Sequence, residues 1–264
     1  MQDAEGQIFA KVLRQAGLGL EGGSQGVFCF TADGKLLSHA NVAEAEPERR
    51  LLTGALRKFD PAAALAAEVL TPVAGDKPPL PQPPPGALIV DVTSKVLGGY
   101  PETKDRRETF AQKSLGRDHL WIRADEAAAL AEGKFPDSLA RRLARYHLVD
   151  NTRGEPPMWE ANEVKRLDLK IADGRISGTV HLETRRGDRG YTADIAGVIE
   201  TSENKVTRLD LVAKGQFWGE GPFTWGAPPG KFPFAVACRL ATEDCAATRV
   251  PPQAARLGSR DYLE

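Results

Sequence analysis

From Val164 to Leu240 apolar and polar residues alternate through most of the chain, and this stretch sets the expected architecture. A period of two places successive side chains on opposite faces of an extended strand. Leu167, Leu169 and Ile171 fall on one side, with Asp168 and Lys170 on the other. Asp173-Gly174 then suits the positive φ angles of a two-residue hairpin turn. Further apolar faces follow at Ile176, Gly178, Val180 and Leu182, at Tyr191, Ala193, Ile195 and Ile199, at Leu209 and Leu211, and at Phe234, Val236, Cys238 and Leu240. Turns are predicted at 187–190 and 202–205, and Gly215 suggests a bulge. Five such strands make an antiparallel meander with one apolar face, which must close on itself or be covered. Apolar strands predicted at Ala87–Lys95 and His119–Arg123 would extend the same sheet to seven strands.

Helical spacing appears elsewhere. Ile8, Phe9, Val12, Leu13 and Ala16 predict an amphipathic helix over residues 3–16. Asp125 is placed to cap an alanine-rich helix ending at Gly133, and Asp137 to cap a helix over 138–149. The second sets Leu139, Leu143, Tyr146 and His147 on one side and Arg141, Arg142 and Arg145 on the other. The expected fold class is therefore α+β: an antiparallel meander closing into a barrel or sandwich, with two covering helices.

Before the sheet, Val27–Thr31, an Asp33-Gly34 turn and Lys35–Ser38 predict a hairpin. Pro47 suits the first turn of a helix, whose apolar stripe is Leu51, Leu52, Ala55, Leu56 and Phe59. This order, with GVFCFTADGKLL followed by PERRLLTGALRKF, resembles the back half of a thioredoxin-like domain over about residues 1–60. There is no CxxC, no proline before Val27 at the family's cis-proline position, and too little chain for the front βαβ unit. The resemblance thus implies a redox-inactive segment, with no site residue carried over. Residues 71–86 contain seven prolines, a composition that favours extended linkers and straps and that can also dock a protein partner. The expected organisation is a thioredoxin-like segment over 1–70, a Pro-rich linker over 71–86 and an antiparallel β domain over 87–264.

A formal charge of −1 over 264 residues offers no electrostatic footprint for nucleic acid. No apolar run approaches the roughly 20 residues of a membrane span. The acidic start lacks the basic and apolar regions of a secretory leader, which points to the cytoplasm if Met1 is the native start and leaves an extracytoplasmic location open if a leader has been removed. Cys29, Cys238 and Cys245 form no CxxC and are expected to be free thiols.

Motifs for chemistry are sparse. Gly22-Gly23-Ser24-Gln25-Gly26 matches G-x-S-x-G, but a nucleophile elbow needs a strand before the serine and a helix after it. Here a glycine-rich loop precedes and a strand follows, so a flexible turn is expected. The segment His147–Trp159 is dense in titratable and hydrogen-bonding groups, although Asp150, Asn151, Gly154 and its prolines are also turn formers. The loop 216–230 gathers Phe217, Trp218, Phe223 and Trp225 in a Gly/Pro frame. These two segments leave opposite ends of a four-strand run and so emerge at one end of the sheet. They are expected to border one concavity, with Arg153, Trp159, Trp218 and Trp225 as ligand contacts. His147, Asp150 and Glu155, with His119 or Asp118 opposite, are the candidates for acid–base work. His119, His147, Asp150 and Glu155 also offer metal-ligand chemistry, but in no established spacing, so neither metal nor cofactor is expected. Two readings result: a small-molecule-binding or accessory module with an aromatic-rimmed pocket, or a hydrolase or lyase.

Overall fold

Gly34 takes a φ of 79°, and the chain reverses there between antiparallel strands β1 (Val27–Phe30) and β2 (Leu36–Ala40). The computed structural model describes residues 4–18, 26–42, 44–66, 81–243, 248, 250–256 and 259–264. Its contacts group the chain into two units, Met1–Pro79 and Leu80–Glu264. In the first unit α1 (Ala4–Gln15) buries Ala10, Val12 and Leu13. Gln15 ties the helix to the hairpin by donating to the Gly34 carbonyl (2.7 Å) and accepting from the Leu36 amide (3.0 Å).

Helix α2 (Ala45–Lys58) carries Pro47 in its first turn, where no intrahelical donor is needed. Its predicted stripe is only partly covered. Ala55 is buried, whereas Leu52, Leu56 and Phe59 are exposed, because a two-stranded hairpin presents too narrow a surface for the whole stripe. The Asp60 carboxylate accepts from the Ala62 amide (2.9 Å) and starts the short α3 (Pro61–Ala66). The G-x-S-x-G serine and residues 67–80 of the Pro-rich stretch lie outside the described residues.

The second unit begins with β3 (Leu88–Val96), α4 (Arg106–Lys113) and β4 (Gly116–Ile122), then α5 (Ala124–Ala131) and α6 (Asp137–Arg142). The meander follows as β5 (Val164–Ala172), β6 (Arg175–Glu183), β7 (Gly190–Ser202), β8 (Lys205–Trp218) and β9 (Lys231–Leu240), and α7 (Ser259–Leu263) ends the chain. The seven strands form one antiparallel sheet in the order β4-β3-β9-β8-β7-β6-β5. Asp173 and Gly174 take φ of 50° and 70°, so both turn residues are left-handed, which matches the twist of the flanking strands. The predicted apolar faces pair in register: Val180 with Ala193, Ile195 with Ala213, and Val236 with Ala213 on the other side.

Two expectations change. Gly215 is not a bulge, since Ala193 and Gly215 pair in unbroken register and the irregularity falls at Glu200/Thr201. A Cβ at Gly215 would instead collide with the Thr192 carbonyl across the ladder. Nor is a closed barrel present: β4 and β5 are edge strands that do not pair. Laid flat, seven strands would separate those edges by roughly 29 Å. Yet one helical turn, Leu143–His147, packs against both, while α5 lies on β8. The sheet must therefore curl around the helices, which fill the interior that barrel closure would need.

Trp159, Tyr191, Phe217, Phe232 and Phe234 are fully buried and stack around Phe217 at centroid distances of 5.2–6.2 Å. Val180 and Ile195 belong to the same core and are also almost fully buried. Val180→Asp leaves an unpaired charge there and is expected to cost at least about 3 kcal/mol, read as a lower urea midpoint at unchanged slope.

Candidate functional site

Helix α6 does not end at Arg142 but widens into a π turn over Leu143–His147, closed by Leu148 N donating to Leu143 O (3.0 Å). Arg142 lies three residues after the buried Leu139 and one before the buried Leu143, on the inward side of the helix. Arg142, expected on the polar side with Arg141 and Arg145, is buried at 2% exposure. It lies opposite Glu126 of α5 in a two-pronged ion pair of 2.7 and 3.0 Å. Its remaining donors reach the carbonyls of Trp121, Tyr262 and Leu263. Burial pushes the Glu126 carboxyl upward, but bonds from Arg142, Ser138 and the Arg123 amide outweigh it and hold the group below its usual range.

His147 is buried beside this pair. The Trp121 amide donates to the Tyr262 hydroxyl (3.3 Å), which lies 2.8 Å from His147 Nε2. The His147 Nδ1 faces Asp118 Oδ2 at 3.2 Å. Burial raises the Asp118 carboxyl, yet His147 and the amides of Gln253 and His119 bring it below its ordinary value. Burial pushes the Tyr262 phenol well above its usual range, so it remains a donor.

The other candidates in the loop are also tied into the fold. The Asp150 carboxylate accepts from the Thr152 hydroxyl (2.6 Å) and pairs with Arg153 Nη2 (2.7 Å), all buried. Arg153 donates onward to Thr224 O (3.2 Å) and the Tyr100 hydroxyl (3.3 Å). Loops 147–159 and 216–230 thus adjoin, through Arg153–Thr224 and through Gly154, which leaves no room for a Cβ against Phe223 O. Trp159 is a core residue, bonded to Leu148 O (2.9 Å) and covered by the Arg189 guanidinium 4.0 Å from its ring. Trp218 donates to Gly187 O (3.0 Å) under the Lys231 ammonium, and Trp225 is 69% exposed. Glu155 is exposed. His119 pairs across the ladder with Asp91 (3.4 Å) on the face of β4 opposite Asp118, and so away from His147. Among the described residues no three His, Cys, Asp or Glu side chains gather as a metal site.

The cavity lies elsewhere. A cleft of about 1120 Å³ opens between α6 with its π turn and the edge strand β5, at the upper end of the roughly 300–1000 Å³ usual for small-molecule sites. Phe135, Tyr146, Val164, Leu167 and Leu169 line it, all half-buried and packed on the core. Gly178 of β6 is also in the lining, and a Cβ there would strike Asp168 O of the neighbouring strand. Arg141, Arg145, Lys165 and Lys170 supply positive charge at the walls. Tyr262 joins this cleft to the buried His147–Asp118 pair. Helical periodicity marks Arg141 and Arg145, and strand alternation marks Leu167 and Leu169; what it cannot show is that the two sets face each other across a gap.

Comparison with family models, with curated proteins and with solved structures gave no match to this chain. No described helix is long and apolar enough to cross a membrane.

The buried pair supplies a stability test. Glu126→Gln or Arg142→Met alone is expected to cost about 3–5 kcal/mol, because each leaves one buried partner unmatched. The double variant should lose less than the sum of the two, as read by urea unfolding. Since the folded Glu126 and Asp118 carboxyls titrate below their unfolded values, their contribution is present above the unfolded pKa and disappears as pH falls through the folded one. Stability should therefore decline below about pH 4–5, and Glu126→Gln should make that decline shallower.

Proposed function

We propose that this chain is a ligand-binding module whose β domain takes a small molecule in the cleft between residues 137–146 and β5, accompanied by a redox-inactive thioredoxin-like segment over residues 1–70. One observation carries the reading: a concavity with half-buried apolar side chains and cationic walls, beside candidate acid–base groups already committed to internal partners. An apolar surface with a few orienting polar groups is the usual make-up of a small-molecule site. The thiols support the redox-inactive part. Cys29 is the one cysteine in residues 1–70 and is a free, half-buried strand residue, so that segment carries no dithiol pair; Cys238, in β9, is buried with its thiol pushed up to about 12, and a thiol held protonated is a poor nucleophile.

The hydrolase or lyase reading retains one supporting observation, the Asp118–His147–Tyr262 chain that ends on a residue lining the cleft. General acid–base work needs the titrating group within reach of the substrate, and His147 is 2% exposed, with Nε2 at the Tyr262 hydroxyl and Nδ1 facing Asp118. Binding is the better-supported reading.

Ala161→Trp separates the possibilities. Ala161 is exposed at the mouth of the cleft, so a bulky side chain fills the entrance without disturbing the core. In a thermal-shift screen of small organic acids, amines and neutral amphiphiles, compounds that stabilise the native chain should raise its Tm and fail to do so in Ala161→Trp. Stabilisation that persists in this variant places the site elsewhere. Turnover of p-nitrophenyl butyrate that is lost in Ala161→Trp would favour the enzyme instead.

A further inference from the structure

We infer that the cleft selects an amphipathic anion: a carboxylate or phosphate head held by Arg141 and Arg145, with an aliphatic or aromatic body lying over Val164, Leu167 and Leu169. This rests on the ligand-binding reading above and adds the chemical class.

Not all of the cations around the cleft have charge to spare. Arg142 is spent on Glu126 and three carbonyls. Arg166 is paired with Asp168 at 2.6 Å, and the Lys165 ammonium donates to Asn162 O (2.9 Å). Arg141 and Lys170, by contrast, have no carboxylate or carbonyl partner among the described residues. Arg145 is intermediate and better ordered. Its Nε is fixed on Trp159 O (3.1 Å) and its guanidinium lies 4.9 Å from the Tyr146 ring centre, while its terminal nitrogens have no partner among the described residues. A guanidinium held this way is pre-organised for a bidentate anion and loses little side-chain freedom on binding. Arg141 and Arg145 both line the cleft.

Of the carboxylates in the lining, Asp168 is already matched by Arg166, and Asp137 and Glu264 line the cleft as well. The apolar part follows from the strand period. Leu167 and Leu169 share the inner face of β5, and both remain half-buried where the helices stop short of the sheet edge. An extended peptide added to β5 is the less suitable occupant. Lys165, Arg166 and Lys170 stud that edge strand, and cations at this spacing are a common device against strand addition.

The test uses the full chain and three twelve-carbon probes below their micellar concentrations: dodecanoate, dodecyl phosphate and dodecyltrimethylammonium. By calorimetry both anions should bind at least tenfold more tightly than the cation. Their affinity should fall severalfold in Arg141→Gln, whose site is exposed and whose fold is therefore expected to survive, and at least tenfold in the double variant Arg141→Gln/Arg145→Gln, and should weaken with added salt. The ratio of the two anions' affinities identifies the preferred head group. Equal binding of the cation, or unchanged anion affinity in the double variant, overturns the inference. If the cation alone binds and Ala161→Trp abolishes that binding, the cleft remains a binding site and only its anion selectivity is wrong. If no probe's binding responds to Ala161→Trp, the binding-module reading fails as well.

Discussion

A single guanidinium holds the β domain's helical layer in place. Arg142 sits on α6, pairs with Glu126 on α5, donates to Trp121 O on β4 and reaches the last turn of the chain at Tyr262 and Leu263. Such a group is costly to bury, and it is tolerable only because its donors are matched. A matched guanidinium also fixes direction as well as distance. The position of α6 over the sheet, and with it the wall of the cleft, follows from this requirement. The π turn extends the same logic: it directs His147 to Asp118 and Tyr262, and leaves Arg145 with its Nε on Trp159 O.

Closure of the sheet and existence of the cleft are two consequences of one packing arrangement. The helices occupy the interior of the curled sheet and touch both edge strands, so those strands cannot meet. Near β4 the gap is filled by His147, Asn151 and the C-terminal turn. Gly116 is required there, because a Cβ would collide with Ser94 and Asn151. Near β5 no comparable filling exists, and Leu167 and Leu169 stay partly uncovered. The asymmetry between the two edges leaves the cleft on the β5 side of the helical segment.

The strands were legible because their signal is local. Alternation at Ile176–Leu182 or Phe234–Leu240 and the Asp173-Gly174 turn need no distant partner to be understood. The open sheet was not legible, since closure depends on how the helices between β4 and β5 pack into the interior, which no local pattern encodes. Arg142 sits three residues after Leu139, on the inward side by helical spacing, but the partner that makes burying its charge tolerable, Glu126, is sixteen positions earlier. Asp118 and His147 were both visible as titratable groups, but their meeting depends on how β4 lies against the π turn. Arg153 and Trp159 read as ligand contacts in the sequence, while their bonds to Thr224 O and Leu148 O depend on loops that only the fold brings together. The tail showed little periodicity, yet it buries Tyr262 at 1% exposure. An aromatic and a leucine adjacent in an otherwise polar terminus were the only hint.

The most direct measurement is amide hydrogen exchange by mass spectrometry, with and without saturating dodecanoate. Exchange reports local opening, and a bound ligand slows it where the ligand restrains the backbone. If the cleft under α6 is the site, protection should rise in peptides covering residues 137–147 and 164–170 and remain unchanged over 216–230. Protection confined to the 216–230 loop, or a uniform change across the chain, would contradict the account.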